Sequence, residues 1–365
     1  MKREEGAGAS LPGAWGTLQE SKRGVGVSLP GPWGIGTPTS ASQHSIEKTE
    51  CERLLAQTAG RTHALLAPRA TTALLALLRA LDLPPNSEVL MPVALCANPA
   101  YAVHWAGLRP IFADISPTTF NLDLAAAERV IGPQTRVLLA VPLFGHPLDV
   151  PDLLEFAHEH NLILVEDAAQ ATGLSYADLP AGSLGICSVY SFGPGKIADA
   201  GGGAALLSND PHILERAAAH LHSLPSNRHS DEHLPAGILR ALQNLPHELL
   251  ARATLAAQYR HILDHSGVTH PEIPSPAPLS KYSILLPSRP ERDRATRELL
   301  AAGIPATNLY PPLAPYFPEA RNATGHFPVA SDLYNRIVNL PLWPQSTGME
   351  ERAARAISLA LAPSA

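Results

Sequence analysis

The sequence predicts an α/β fold in which a large, mostly parallel sheet lies between helices and a smaller α+β domain follows. Short apolar runs of strand length recur between residues 88 and 168, and helix-like stretches separate them. This alternation is typical of a parallel sheet that is covered on both faces. The length of 365 residues is sufficient for such a unit and a smaller companion domain.

The composition limits the kinds of partner and compartment. Charged residues make up 16% of the chain and the formal net charge is -6, so we expect no basic surface for nucleic acid or an anionic membrane. Cys51, Cys96 and Cys187 form no CxxC pair and no Cys/His cluster, which argues against a disulfide framework and a metal site. No run of about eighteen apolar residues occurs. The sequence therefore predicts a cytoplasmic protein that acts on a small molecule.

Residues 1–44 differ in composition from the rest of the chain. The segment GASLPGAWG, which starts at Gly8, recurs as GVSLPGPWG from Gly26, in surroundings rich in Gly, Pro and Ser. Such segments cannot bury enough apolar surface to offset the entropy of the chain, so we predict a disordered low-complexity leader. A docking peptide that carries Trp15 and Trp33 is the alternative.

The globular pattern begins near residue 45, and we predict a large domain over residues 45–250. Its run TTALLALLRAL, residues 71–81, is apolar around most of its circumference, as a buried helix is. Six strands are then predicted, over residues 88–95, 109–115, 136–144, 162–168, 188–192 and 203–208. Residues 251–365 alternate between strand-like and helical patterns, which predicts the small C-terminal α+β domain.

The first candidate site residue is Asp167, at the end of the apolar strand LILVE. Ligands of open parallel sheets gather at the carboxyl ends of the strands. A buried carboxylate there needs a cationic partner, and the protonated pyridine nitrogen of pyridoxal phosphate (PLP) is one such cation. The alternative is an ordinary N-cap of the next helix.

The second candidate is the segment SFGPGK, from Ser191 to Lys196. Its glycines permit a tight turn and close approach to a ligand, and Ser191 can donate a hydrogen bond to a phosphate oxygen. A lysine on this turn can form an imine if its pKa is lowered. The spacing of a nucleotide-binding P-loop is absent, because Ile197 follows the lysine. A solvated surface lysine is the alternative.

The third candidate is the start of the buried helix at Ala70, Thr71 and Thr72. Free backbone N–H groups and hydroxyls at a helix N-terminus favour an anion, such as the phosphate of PLP. Ordinary capping by Thr71 is the alternative.

The order of these three features matches fold-type I PLP enzymes, and residues 63–210 resemble the DegT/StrS family of nucleotide-sugar aminotransferases. The segments that carry the resemblance are RPIFADISPTTFNLD, LFGHPLDVPDLLEFAHEHNLILVEDAAQATG, AGSLG, SFGPGK and GGGAALLSND. The C-terminal half resembles the family more weakly, in the segments AGIPATNLYPPL, YFPEA and VNLPLWPQ. The large domain is then the PLP-binding domain.

The resemblance implies a role for each matching residue. It makes Lys196 the Schiff-base lysine and catalytic acid/base, Asp167 the partner of the pyridinium, and Gln170 the contact to the ring hydroxyl. It also implies a homodimer with shared active sites. The residues that it implies at the phosphate are Ser191, Ala70, Thr71, Thr72 and, reaching the neighbouring subunit, Asn227.

The sequence departs from the family pattern on the substrate side. Cys96 stands where the family places an aromatic ring over the cofactor, so we expect either weaker binding of PLP or a ring face that is covered differently. In the family's HY-x-PL motif, Leu309 replaces the histidine and Tyr310 remains as a substrate residue. His229 stands at an arginine position.

The sequence thus predicts a PLP-dependent aminotransferase of amino-sugar biosynthesis, which moves an amino group from glutamate to the keto sugar of a nucleotide-sugar. Two alternatives remain open. One is transamination or dehydration of a keto substrate without a nucleotide, and the other is a PLP-binding regulatory protein with little turnover.

Overall fold

The computed structural model describes residues 41–224, 234–273, 277–346 and 348–362. Within these ranges no helix is long and apolar enough to cross a membrane. The strands in the same ranges are β1 (His63–Ala67), β2 (Glu88–Pro92), β3 (Arg109–Ala113), β4 (Thr135–Ala140), β5 (Ile163–Asp167), β6 (Ser175–Tyr176), β7 (Leu179–Pro180), β8 (Cys187–Ser191), β9 (Ala204–Ser208), β10 (Tyr282–Leu285) and β11 (Ile337–Leu340).

Helices connect most of these strands. They are α1 (Ala41–Thr58), α2 (Ala70–Ala80), α3 (Ala97–Trp105), α4 (Leu124–Glu128), α5 (Val150–Glu159), α6 (Pro211–Ser223), α7 (Leu234–Gln243), α8 (Leu245–Leu263), α9 (Arg289–Ala301), α10 (Pro328–Arg336) and α11 (Glu350–Leu361). Helix α1 begins four residues before the predicted start of the globular part. The rest of the predicted leader, residues 1–40, lies outside the described residues, as do its repeats.

Seven strands form one sheet in the order β1-β9-β8-β5-β4-β2-β3. Strands β8, β5, β4, β2 and β3 are parallel, and β9 runs antiparallel to both β8 and β1. The predicted mixed, mostly parallel sheet between helices is therefore confirmed. The predicted strands 88–95 and 136–144 extend furthest beyond the observed ones, because β2 ends at Pro92 and β4 ends before Pro142. Proline has no N–H to donate to a sheet.

The central strands are buried on both faces, and successive side chains alternate between two apolar clusters. In β5, Val165 belongs to the cluster around α2 and α3, whereas Leu164 belongs to the cluster around α1 and α5. The same alternation separates Leu139 from Leu138 in β4. Helices on both faces explain why these strands are continuous apolar runs.

The C-terminal part forms a third apolar cluster around the antiparallel pair β10 and β11. This cluster includes buried residues of α8, α9 and α11. The segment between α9 and β11 instead packs on the large sheet, where the Leu313 N–H donates to the Val93 carbonyl at 2.9 Å. Asp114 also accepts hydrogen bonds from the N–H groups of Val329 and Ala330 at the start of α10. The domain division at residue 250 stays a prediction.

The motif AGSLG forms a turn that is tied to β5 by a buried carboxylate. Glu166 is fully buried and accepts hydrogen bonds from the N–H groups of Gly182 and Leu184 at 2.8 and 2.9 Å. Arg61 donates to carbonyls of the same turn, including that of Gly185 at 3.0 Å. Gly185 has a φ of +67°, and a Cβ at this position would overlap the Leu164 carbonyl.

We expect Gly185→Ala to lower the free energy of unfolding by about 3 kcal/mol or more, because strain of the left-handed backbone adds to a clash with backbone atoms. Gly107→Ala is the matched control, since Gly107 has a φ of +78° and open space around its Cα. The control should cost only about 1 kcal/mol in chemical denaturation. Equal costs for the two variants would contradict the close packing of this turn.

Candidate active site

A cavity of about 100 Å³ lies at the edge of the large sheet where its parallel strands end. Its lining residues lie at the ends of these strands or in the segments that follow them. Strands β1, β2, β4, β5 and β8 all run in the same direction, so their carboxyl ends meet at this edge. The polar or reactive side chains that line the cavity are those of Thr71, Cys96, Asn98, Asp167, Gln170, Ser191 and Lys196.

Asp167 and Lys196 are the two charged side chains of this cavity. Burial raises the pKa of Asp167, and the positive charge of Lys196 opposes this shift. Burial lowers the pKa of Lys196, and the negative charge of Asp167 opposes that shift in turn. Among the described residues the two groups form no ion pair within 4.0 Å, so the cavity separates them. A ligand that carries both a proton donor for Asp167 and an electrophile for Lys196 would match both groups.

The start of α2 forms a second wall of the cavity. Its N-cap residue Arg69 makes no side-chain hydrogen bond to the helix, so the first N–H groups of α2 lack a capping side chain. Ala70 and Thr71 line the cavity, and Ser191 faces it from the end of β8. Thr72 does not line it, because its hydroxyl donates to the Arg69 carbonyl at 2.8 Å. The wall is suited to an anion with several oxygen acceptors.

Gln170 connects the cavity to an aromatic pair. Its Oε1 accepts a hydrogen bond from the Phe144 N–H at 3.1 Å, and its side chain lies near the Tyr310 hydroxyl, where it acts to lower the pKa of that group. The rings of Phe144 and Tyr310 stack with centroids 5.9 Å apart and planes inclined by 3°. Burial raises the pKa of Tyr310, and the nearby Cys96 and Asp167 raise this pKa further. Tyr310 is thus held behind Gln170 as a neutral hydroxyl and does not itself line the cavity.

A larger cleft of about 540 Å³ lies on the other side of Lys196. The buried Arg252 forms part of its wall and pairs with Glu248, with Nε and Oε1 2.7 Å apart. The guanidinium of Arg252 also donates to the carbonyl of Lys196 at 3.4 Å and to that of Ser280 at 3.1 Å. Arg252 therefore connects the turn that carries Lys196 to the segment before β10.

The structure brings together most of the predicted site residues. Asn227 lies outside the described residues, whereas Thr72 and Tyr310 lie beside the cavity rather than in its wall. The sequence analysis missed Phe144 and Arg252. Phe144 follows the end of β4, but an apolar side chain after an apolar strand does not indicate a site in the sequence. Arg252 is an isolated arginine on a helix, and no local pattern marks it.

Comparison with known proteins places the chain among aminotransferases. The profile of the DegT/DnrJ/EryC1/StrS aminotransferase family matches residues 41–358. GDP-perosamine synthase of Caulobacter vibrioides is 31% identical over 314 residues, which cover 80% of this chain and 84% of that protein. A UDP-N-acetyl-3-dehydro-alpha-D-glucosamine 3-aminotransferase of Acidithiobacillus ferrooxidans is 30% identical over 321 residues, which cover 83% of this chain and 85% of that protein.

Solved structures agree with the sequence comparisons. The crystal structure of S. venezuelae DesV in complex with a ketimine intermediate superposes with a TM-score of 0.78 at 28% identity. The superposition covers 87% of this chain and 90% of DesV. The similarity therefore extends over both the large sheet and the C-terminal part.

We expect Asp167→Asn to lower the pKa of Lys196 further, because the substitution removes the negative charge that favours the ammonium form. The rate at which an acylating reagent labels Lys196 should then rise at a lower pH than in the wild type. Mass spectrometry of the labelled peptides gives this pH profile, and the surface residue Lys48 in the same sample serves as reference. A profile that stays in place or moves to higher pH would argue against the coupling.

Proposed function

Because the chain belongs to the DegT/DnrJ/EryC1/StrS aminotransferase family, we propose that it transfers an amino group from glutamate to a keto sugar carried on a nucleotide. The comparisons confirm three predictions made from the sequence, namely the family, the fold class and the assignment as an aminotransferase. The names of both relatives refer to sugars linked to GDP or UDP, which supports a nucleotide-sugar as acceptor. Glutamate as the donor rests on the family resemblance.

The side chains that line the cavity match the chemical groups of PLP, the cofactor that the family implies. The uncapped start of α2 and the Ser191 hydroxyl suit its phosphate, and the Asp167 carboxylate suits the protonated ring nitrogen. The Lys196 amine, whose pKa is lowered by burial, suits the aldehyde carbon. The observation that carries the proposal is that Asp167 and Lys196 line one cavity without forming an ion pair.

PLP, when bound, withdraws electrons from the substrate carbon that exchanges its amino group. The chain's own residues then hold and move protons. Asp167 would hold a proton on the ring nitrogen, because its negative charge is buried and needs a cation. Lys196 would take a proton from the substrate carbon that bears the amino nitrogen and deliver one to the carbon on the other side of that nitrogen, as a general base and then acid. Gln170, held by the Phe144 N–H beside Tyr310, would orient the ring from the side of its hydroxyl.

Three further assignments complete the proposal. Cys96 lines the cavity and would cover the face of the ring with less surface than an aromatic side chain. Tyr310 acts on the substrate side, and Asn227 reaches the phosphate held by the neighbouring subunit of a homodimer. Cytoplasmic location likewise remains our prediction.

A second candidate function is the binding of PLP with little turnover. The observation that favours it is the thiol of Cys96 in the wall where the resemblance implies an aromatic ring. A wild-type protein that takes up PLP but shows no spectral change with any amino donor would support this candidate over the transaminase.

We expect borohydride reduction of the PLP-loaded protein to attach the cofactor to Lys196 alone, as peptide mass spectrometry would show. Lys196→Met should abolish this adduct and slow the glutamate half-reaction by about 10³-fold or more, because the residue is both attachment point and proton carrier. Lys48→Met is the matched control and should behave as the wild type. An adduct on another lysine would contradict the assignment of Lys196.

A further inference from the structure

A second lysine, Lys281, lies beside the candidate active site and has no role in the mechanism above. It precedes β10, and its side chain is partly buried. Burial, together with the positive charges of Lys196 and Arg252, lowers the pKa of Lys281 to about 8. Among the described residues no carboxylate lies within 4.0 Å of its ammonium group. At neutral pH the side chain is therefore a partly buried cation without an anion in contact with it.

The backbone holds Lys281 close to Lys196. The Arg252 guanidinium donates to the carbonyls of Lys196 and Ser280, so one buried group fixes both segments. The Ser280 and Lys281 N–H groups donate to the Phe144 carbonyl at 2.8 and 3.4 Å. Phe144 in turn bonds to Gln170, which lines the cavity. Lys281 is thus tied both to the turn of Lys196 and to the Gln170 side of the site.

The acidic side chains of this region are already engaged elsewhere. Glu248 pairs with Arg252, and Asp199 accepts hydrogen bonds from the N–H groups of Gly195 and Gly201. Asp167 faces the cavity, where its charge acts on Lys196. The positive charge of Lys281 therefore has no counterpart among these groups. A buried, uncompensated cation is costly unless a ligand brings the anion.

We propose that Lys281 binds the α-carboxylate of the amino donor. The assignment rests on the proposed transaminase function. An α-carboxylate is bonded directly to the carbon that loses the amino group, so it must lie close to Lys196 during proton transfer. The diphosphate of a nucleotide-sugar, the other oxyanion available, is separated from the keto carbon by atoms of the sugar ring. Because Lys281 lies close to Lys196, the α-carboxylate of the donor is favoured over the diphosphate as the anion that Lys281 binds.

The test compares two donors on the PLP-loaded enzyme: L-glutamate and its α-amide, in which a neutral carboxamide replaces the α-carboxylate. Rapid mixing and the cofactor absorbance give the donor Kd of each half-reaction. In the wild type we expect glutamate to bind about tenfold to a hundredfold more tightly than the amide. In Lys281→Met this preference should disappear, and in Lys281→Arg part of it should remain. Lys48→Met should keep the full preference.

Three results would overturn the assignment. The first is a Lys281→Met enzyme that keeps the preference for glutamate, and the second is an equal loss of affinity for both donors, which indicates a structural role. The third is a defect confined to the nucleotide-sugar half-reaction, which would assign the oxyanion to the diphosphate. Misfolding is checked by thermal unfolding, where Lys281→Met should be no less stable than the wild type, because it removes an unpaired, partly buried charge.

Failure of the proposed function gives a different result: no amino acid changes the cofactor absorbance of the PLP-loaded wild-type protein. Lys281 is then tested by calorimetry with 2-oxoglutarate, a carboxylate that does not require turnover. Loss of 2-oxoglutarate binding in Lys281→Met would support carboxylate recognition by this residue. Unchanged binding, or no binding to the wild type, would overturn it.

Discussion

Two opposite charges, buried at one edge of a parallel sheet without direct contact, are the constraint on which the site depends. Asp167 ends β5 and Lys196 follows the neighbouring strand β8, and each shifts the pKa of the other against the effect of burial. The surrounding structure must hold them apart, because direct pairing would satisfy both and close the cavity. Arg252 holds the Lys196 backbone through a hydrogen bond to its carbonyl. The Ala169 N–H holds the Asp167 carboxylate through a hydrogen bond of 3.1 Å.

Because side chains alternate along β5, its two adjacent carboxylates lie on opposite faces of the sheet and have different roles. Asp167 faces the cavity, whereas Glu166 points to the opposite face and holds the turn at Gly182 and Leu184. Because the period of a strand is two residues, neighbouring positions necessarily serve different faces. The motif that predicted the cofactor site therefore contains one residue for the site and one for the fold.

The parts of the site that follow strand ends could be predicted from the sequence, because strand direction alone brings them together. Asp167, Ser191 and Lys196 are of this kind. Tyr310 could be predicted only through resemblance, since its place behind Gln170 depends on a chain return of more than a hundred residues. Arg252 and Lys281 carry no local pattern, and their relation to Lys196 arises from the packing of α8 and β10 beside the sheet.

The two buried lysines differ in a way that assigns them different tasks. Lys196 lines the cavity together with Asp167, so its amine has both a neighbouring carboxylate and room for an electrophile. Lys281 has no such carboxylate beside it, because Glu248 is engaged by Arg252 and Asp199 by backbone N–H groups. A lowered pKa makes both amines unusual, yet only the first has the geometry for covalent chemistry. The proposed role of Lys281 needs only its positive charge, which would stabilise a carboxylate while the donor lies beside Lys196.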